Sequence, residues 1–178
     1  MLILILQSVY LMLPAYFANM APVFFRKINF LDYPIDFNKK LKNKEILGKH
    51  KTFRGVLFGV LLALIISYIQ YSLYRLNFFK NISILNYSNW VLIGFLLGFG
   101  ALFGDLVKSF FKRRFEIPSG KPWIPFVEID FVIVALAFIS FYKILIFEIY
   151  LAILIASPLL HILINHIAYY TKIREGKW

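Results

Sequence analysis

The chain has 178 residues, 61% of them hydrophobic, and a mean hydropathy of +0.74. Only 16% of positions are charged, yet the net charge is +11. That balance excludes a water-soluble globule, and the absence of cysteine excludes disulfides, thiolate metal sites and thiol nucleophiles.

The apolar residues form continuous blocks, unlike the alternating strands of an outer-membrane barrel. Each block approaches the roughly 20 residues that a helix needs to cross about 30 Å of hydrocarbon. Five spans are predicted, at residues 2–25, 55–74, 90–111, 124–142 and 144–168. The expected fold is therefore all-α: a bundle of five transmembrane helices forming a single membrane domain, 1–178, without repeats or low-complexity linkers. The first block has no basic residue ahead of it, and its first cations, Arg26 and Lys27, follow it, so it reads as a retained helix. Beyond Asp105, Leu106, Val107, Phe110 and Phe111 continue the stripe of span three, which predicts an amphipathic extension emerging at the membrane surface. A tight turn around Lys143 makes spans four and five an antiparallel hairpin. Gly55 and Gly59, and Gly94, Gly98, Gly100 and Gly104, have small-xxx-small spacings that let helix backbones approach closely.

Assigning the loops to alternate sides places 17 Lys and Arg on one side and three, Arg75, Lys80 and Lys143, on the other. The positive-inside bias then puts the N-terminus outside and the C-terminus in the cytoplasm, with a basic cytoplasmic loop after span one. Such an excess is a membrane signature before it is a nucleic-acid one: lysines near the inner leaflet meet anionic headgroups at about 1 kcal/mol each. Membrane lipid is an expected partner and nucleic acid is not; the sequence leaves room for a homodimer without specifying one.

Three clusters carry possible chemistry. The segment Gly48-Lys49-His50-Lys51-Thr52-Phe53-Arg54-Gly55 sets four potential cations and a hydroxyl between two glycines where span two begins. It can wrap an anion, but it is not a P-loop; the alternative is a basic juxtamembrane anchor. In the second cluster Asp105, Lys108, Ser109 and Lys112 share one helix face at i, i+3, i+4 and i+7, followed by Arg113 and Arg114. A carboxylate, two ammonium groups and a hydroxyl on one stripe suit a metal-bound polyphosphate; the alternative is an internally paired surface helix. Third, Glu128 and Asp130 stand in an apolar block, where carboxylates mark function by default. Two positions apart, they point to different faces, with Asp130 expected toward the bundle interior and Glu128 at its water-facing mouth; the alternative is a buried ion pair with a nearby Lys or Arg. Asn19, and His161 with Asn165 one turn apart, read as interhelical hydrogen-bonding groups, with His166 turned away.

Acidic positions ringed by basic ones at a lipid-embedded mouth point to magnesium-assisted transfer between a nucleotide polyphosphate and a lipid. That chemistry needs positioning and charge neutralisation rather than a covalent nucleophile. A lipid phosphate, with its second pKa near 6, is already largely ionised at neutral pH and needs no general base. No Ser-His-Asp arrangement suggests a hydrolase.

The segments GKHKTFRG (48–55) and GDLVKSFFKRR (104–114) stand with Asp130-Phe131 in the 125–135 stretch, Pro14-Ala15-Tyr16, Asn19-x-x-Pro22, Pro34-x-Asp36, and the late His161, Asn165 and Trp178. Together, over essentially the whole chain, they resemble archaeal CDP-archaeol synthases, relatives of bacterial CDP-diacylglycerol synthases. The resemblance implies that CTP and 2,3-bis-O-geranylgeranyl-sn-glycerol 1-phosphate, an unsaturated polyprenyl ether-lipid phosphate, give the CDP-lipid and pyrophosphate with Mg²⁺ in the archaeal cell membrane. It implies catalytic roles for Asp105, Asp130, Lys108 and Lys112, and metal binding by Asp105, Asp130 and Glu128. Lys49, His50, Lys51, Thr52, Arg54, Ser109, Arg113, Arg114, Asn19 and Asp36 are the implied substrate-binding residues. The family reads Asp-Gln-x-Asp-Phe, with a glycine shortly after, where this chain has Val127-Glu128-Ile129-Asp130-Phe131 and then Val134. Either Glu128 supplies the missing oxygen ligand, or Asp105 and Asp130 hold the metal with water filling the gap. The rival readings are a small transporter or flippase for anionic lipid or nucleotide, and an inactive scaffold.

Overall fold

Five helices carry the fold in a computed structural model that describes residues 2–118, 123 and 129–170, apart from the side chains of 161, 165, 167 and 168. They are α1 (Leu2–Phe24), α2 (Phe53–Arg75), α3 (Trp90–Arg114), α4 (Asp130–Ser140) and α5 (Phe147–Tyr170). Four of them, α1, α2, α3 and α5, are long and apolar enough to cross a membrane. Their ends lie within about one helical turn of the predicted spans, and α3 runs unbroken past Asp105 to Arg114, as its stripe required. In α4 the 11 described residues rise only about 17 Å; the first part of the predicted fourth span, 124–128, lies outside the described residues.

The basic loop after α1 holds two short strands within the otherwise helical bundle. Lys40–Leu41 (β1) and Lys44–Glu45 (β2) form a small antiparallel hairpin. Lys42 and Asn43 join them with φ of 51° and 61°, the two successive positive values that a type I′ turn demands.

The packing inverts the logic of a soluble bundle. α2 buries its small residues, Gly55, Gly59, Ala63 and Ser67, spaced four apart, and turns Leu57, Leu61, Ile65 and Ile69 outward. Lipid is as apolar as leucine, so the gain comes from close backbone contact rather than from hiding large side chains. α3 lies between α2 and α4, and α1 packs on α2, α3 and α5. The glycines of α3 serve two faces. A Cβ at Gly98 would come within 2.4 Å of Ala63 Cβ on α2, whereas one at Gly100 would come within 2.9 Å of Ala135 Cα on α4.

Two polar contacts inside the bundle tie helices together where lipid offers no alternative partner. The Gln70 amide of α2 donates to the Tyr10 carbonyl of α1 at 2.5 Å. The Tyr16 hydroxyl of α1 lies 2.6 Å from Ser157 Oγ of α5, joining the first helix to the last. Phe131, the second residue of α4, is buried and meets the Tyr16 ring edge-to-face, centroids 6.2 Å apart.

Candidate active site

Two ion pairs converge where α2 begins, α3 nears its end and α4 starts. Lys51 Nζ donates to Asp105 Oδ2, and Lys108 Nζ lies 2.9 Å from Asp130 Oδ1. The second pair is well shielded, its side chains 12% and 19% exposed, while the first keeps about a quarter of its surface. Asp105 and Lys108 stand one turn apart on α3, so the four groups form a continuous run of alternating charge.

The local sequence explains how each group arrives. Lys51 belongs to a short extended stretch paired with the loop before it. Ile35 N–H donates to Lys51 C=O at 2.8 Å, and Phe53 N–H to Tyr33 C=O at 3.0 Å. Gly48, at φ 101°, makes the preceding turn in a conformation that L side chains avoid. Asp36 fastens that turn: its carboxylate accepts from the backbone N–H of Asn38, Leu47 and Gly48 at 3.0, 2.9 and 3.3 Å. Thr52 caps α2, its Oγ1 accepting from Gly55 N–H at 3.2 Å. Asp130 is the first residue of α4, where the exposed N–H groups of a helix favour a carboxylate. Gly104 lets the two helices meet there, since a Cβ on it would sit 2.8 Å from both Asp130 O and Phe131 Cα.

Other implied substrate-binding residues are engaged in holding the loop. Buried Arg54 pairs with Asp32 at 2.8 Å and donates to the Ile28 carbonyl. Arg114 donates to the carbonyls of Leu41 at 2.8 Å, Lys44 at 3.4 Å and Glu45; Arg113 donates to those of Leu47 at 3.5 Å and Ile117. Arg114 therefore clamps the β1–β2 hairpin onto the end of α3, and Arg113 ties Leu47, just beyond the hairpin, to the same end. Lys49 and His50 are exposed beside Lys51, and Ser109 is buried. Lys112 sits in the field of Lys108, Arg113, Lys51 and Asp105. Asn19 is half-buried on α1. Glu128 and the side chains of His161 and Asn165 lie outside the described residues, whereas His166 turns its Nδ1 to the Ile162 carbonyl at 2.8 Å. Sequence reasoning missed Asp32, because its partner Arg54 lies in the first turn of α2 while Asp32 itself stands in an aperiodic loop.

The clamp has a testable pH dependence. Lys44 Nζ lies 2.7 Å from Glu116 Oε1 and holds this exposed carboxyl below the usual carboxylate range. A depressed folded-state pKa stabilises the fold above the unfolded value and ceases to do so as pH falls through the folded one. Amide-exchange protection of residues 40–45 should drop on acidification in the parent. In Glu116→Gln it should start lower and show a smaller drop over that range; equal drops would remove the pair from the clamp.

The donor set fits a magnesium ion bound chiefly to substrate phosphates. Mg²⁺ takes one or two carboxylates, keeps several waters and relies on phosphate oxygens for the rest. Asp105 and Asp130 are two such carboxylates, and each already attracts a cation, with a lysine ammonium standing where positive charge is wanted. Among the described residues no three His, Asp or Glu side chains gather into a cage that would hold a metal alone.

A sequence profile of the CarS-like family, described as CDP-archaeol synthase, matches residues 1–178. The chain belongs to the CDP-archaeol synthase family. Curated relatives of that name include the protein of Archaeoglobus fulgidus, 37% identical over the full length of both chains. That of Thermococcus gammatolerans is 38% identical over 96% of this chain and 95% of its own. That of Methanocaldococcus jannaschii is 33% identical over 98% of each. Among solved structures, an intramembrane enzyme of archaeal membrane lipid biosynthesis matches with a TM-score of 0.72 and 29% identity, covering 90% of this chain and 94% of that one. The resemblance carried by the glycine-bounded basic segments is thus borne out over the whole chain. Among the described residues this CDP-archaeol synthase family member is helical apart from the short strand pairings of the loop before α2, with four helices long and apolar enough to cross a membrane.

Proposed function

We propose that the chain transfers the cytidylyl group of CTP to the phosphate of 2,3-bis-O-geranylgeranyl-sn-glycerol 1-phosphate, giving CDP-archaeol and pyrophosphate. Full-length kinship with proteins named CDP-archaeol synthase supports an enzyme over a transporter or a silent scaffold. The geometric observation that carries the reading is the pair of carboxylate–ammonium contacts, Lys51 with Asp105 and Lys108 with Asp130, at the junction of three helices.

Asp105 and Asp130, with Glu128, would hold Mg²⁺, which when bound neutralises phosphate charge and polarises the phosphoryl oxygens. The chain's own residues do the remaining work. Lys51 and Lys108 each rest on one carboxylate, and an arriving triphosphate offers both ammonium groups competing anionic oxygens. Lys112, with Lys49 and His50 on the exposed turn, adds positive charge where the β- and γ-phosphates collect. Arg54, Arg113, Arg114, Thr52 and Asp36 act by fixing the loop that presents this turn, while Ser109 and Asn19 line the mouth. An oxygen of the lipid phosphate attacks the α-phosphorus, the α–β anhydride bond breaks, and its electron pair leaves with pyrophosphate. The attacking oxygen is already ionised, so no side chain has to remove a proton.

The reading includes one domain, 1–178, with five spans, an outside N-terminus and the site facing the cytoplasm of the archaeal cell membrane. The 17-to-3 sorting of basic residues supports that orientation. All four ion-paired groups come from one chain, and a homodimer remains part of the reading without a role in these contacts. The test is pyrophosphate release by detergent-solubilised protein given CTP, Mg²⁺ and the lipid phosphate. Release matched by CDP-lipid is the expected result; no release, or movement of lipid or nucleotide across vesicles without release, would overturn it.

A further inference from the structure

The loop between α1 and α2 turns an unusual set of side chains outward. Phe30, Tyr33, Phe37 and Leu41 are 59%, 70%, 66% and 46% exposed. Around them stand Arg26, Lys27, Lys39, Lys40 and Lys42, all exposed. The two acids of this stretch do not balance them: Asp32 is paired with Arg54, and buried Asp36 spends its carboxylate on three backbone N–H groups. The outward face is therefore aromatic and basic.

Its height relative to the bilayer follows from ring contacts. Phe37 lies 5.5 Å from Phe53, the first residue of α2, centroid to centroid. Val23 and Phe24, which end α1, are more than half exposed. Phe37 is thus level with the start of α2, and the loop leaves α1 through an exposed apolar end. Leu31 and Phe37 take φ of 53° and 52°, a region that bulky L residues avoid. The Asp36 hydrogen bonds and the Arg114 clamp hold this backbone in place. In water such an arrangement would expose rings for no return; at a bilayer surface, rings sit at headgroup level and lysines meet lipid phosphates.

We infer that residues 26–43 form a surface immersed in the headgroup layer of an anionic leaflet, with Phe37 below the phosphates and Lys39, Lys40 and Lys42 binding them, so that phosphate-bearing lipid is concentrated beside the site. Immersion stands independently of the proposed reaction; only its kinetic consequence rests on that reading.

The cysteine-free chain makes the test direct. Phe37→Cys and, as a control on the exposed carboxylate beyond α3, Glu116→Cys are nitroxide-labelled in the full chain. Both are reconstituted in phosphatidylcholine vesicles with or without phosphatidylglycerol. The Phe37 label should be relaxed more by oxygen than by a water-soluble nickel chelate, the Glu116 label the reverse, and phosphatidylglycerol should deepen the first. Adding Lys39→Gln, Lys40→Gln and Lys42→Gln should abolish that deepening. In pyrophosphate assays the same triple substitution should raise the apparent KM for lipid phosphate about tenfold in anionic vesicles and leave the KM for CTP unchanged. Equal access of the chelate to both labels overturns the immersion, and so does spin–spin broadening at Phe37 showing that a second copy covers it. Immersion with no change in lipid KM removes the concentrating role alone.

Discussion

Asp105→Asn should lower pyrophosphate release by about 10³-fold or more at saturating CTP and Mg²⁺ while the purified protein remains folded. The substitution keeps shape and an oxygen that can accept from Lys51, but it removes the charge that attracts a cation. As a structural element the Lys51–Asp105 pair, about a quarter exposed, contributes on the order of 0–1 kcal/mol. A 10³-fold rate loss corresponds to about 4 kcal/mol. The two effects are therefore separable: thermal stability in detergent should change little while turnover collapses. Turnover at the parental rate would end the role assigned to Asp105, and a parallel loss of folding would make the residue structural.

Gly104→Ala should damage both packing and chemistry. A Cβ there meets the Asp130 carbonyl oxygen and Phe131 Cα at 2.8 Å. Both are backbone atoms, so no rotamer change relieves the clash and α4 has to move away from α3. Overpacking of this kind costs about 1–3 kcal/mol, and moving Asp130 by about 1 Å costs about 10²-fold in rate. Gly98→Ala is the control, because its Cβ would strike Ala63 on α2, on the other side of α3. Comparable destabilisation is expected from both, measured as melting temperature in detergent, with the larger loss of kcat in Gly104→Ala. Equal kcat in the two variants would show that the α3–α4 approach does not position Asp130.

Much of the fold was legible because membrane crossing imposes a length on each apolar run and leaves its interior almost free of charge. α1, α2, α3 and α5 follow from that rule alone. The glycines were legible as packing positions from their spacing, but not which helix each would meet: Gly98 and Gly104 share α3, yet face opposite partners. Asp130 does stand in the ion pair with a nearby lysine that is its alternative reading, whereas Asp105 pairs with Lys51 of another segment rather than within its own helix. Arg54, Arg113 and Arg114 look like anion binders in a string of basic residues, but their donors reach the loop's own carbonyls and Asp32. Nothing periodic marks those acceptors, because a folded loop exposes its carbonyls by turns and not by repeat.

What the sequence determined by itself is the solvent of the fold, the family, and the set of groups available for chemistry. Hydropathy and the glycine-bounded motifs are properties of contiguous residues and survive without coordinates. What only the tertiary structure decided is which cation rests on which carboxylate, and which basic residues remain for a substrate once the loop has taken its own. Those choices join positions tens of residues apart, and they depend on two backbones meeting at Gly104 and on a turn fastened by Asp36.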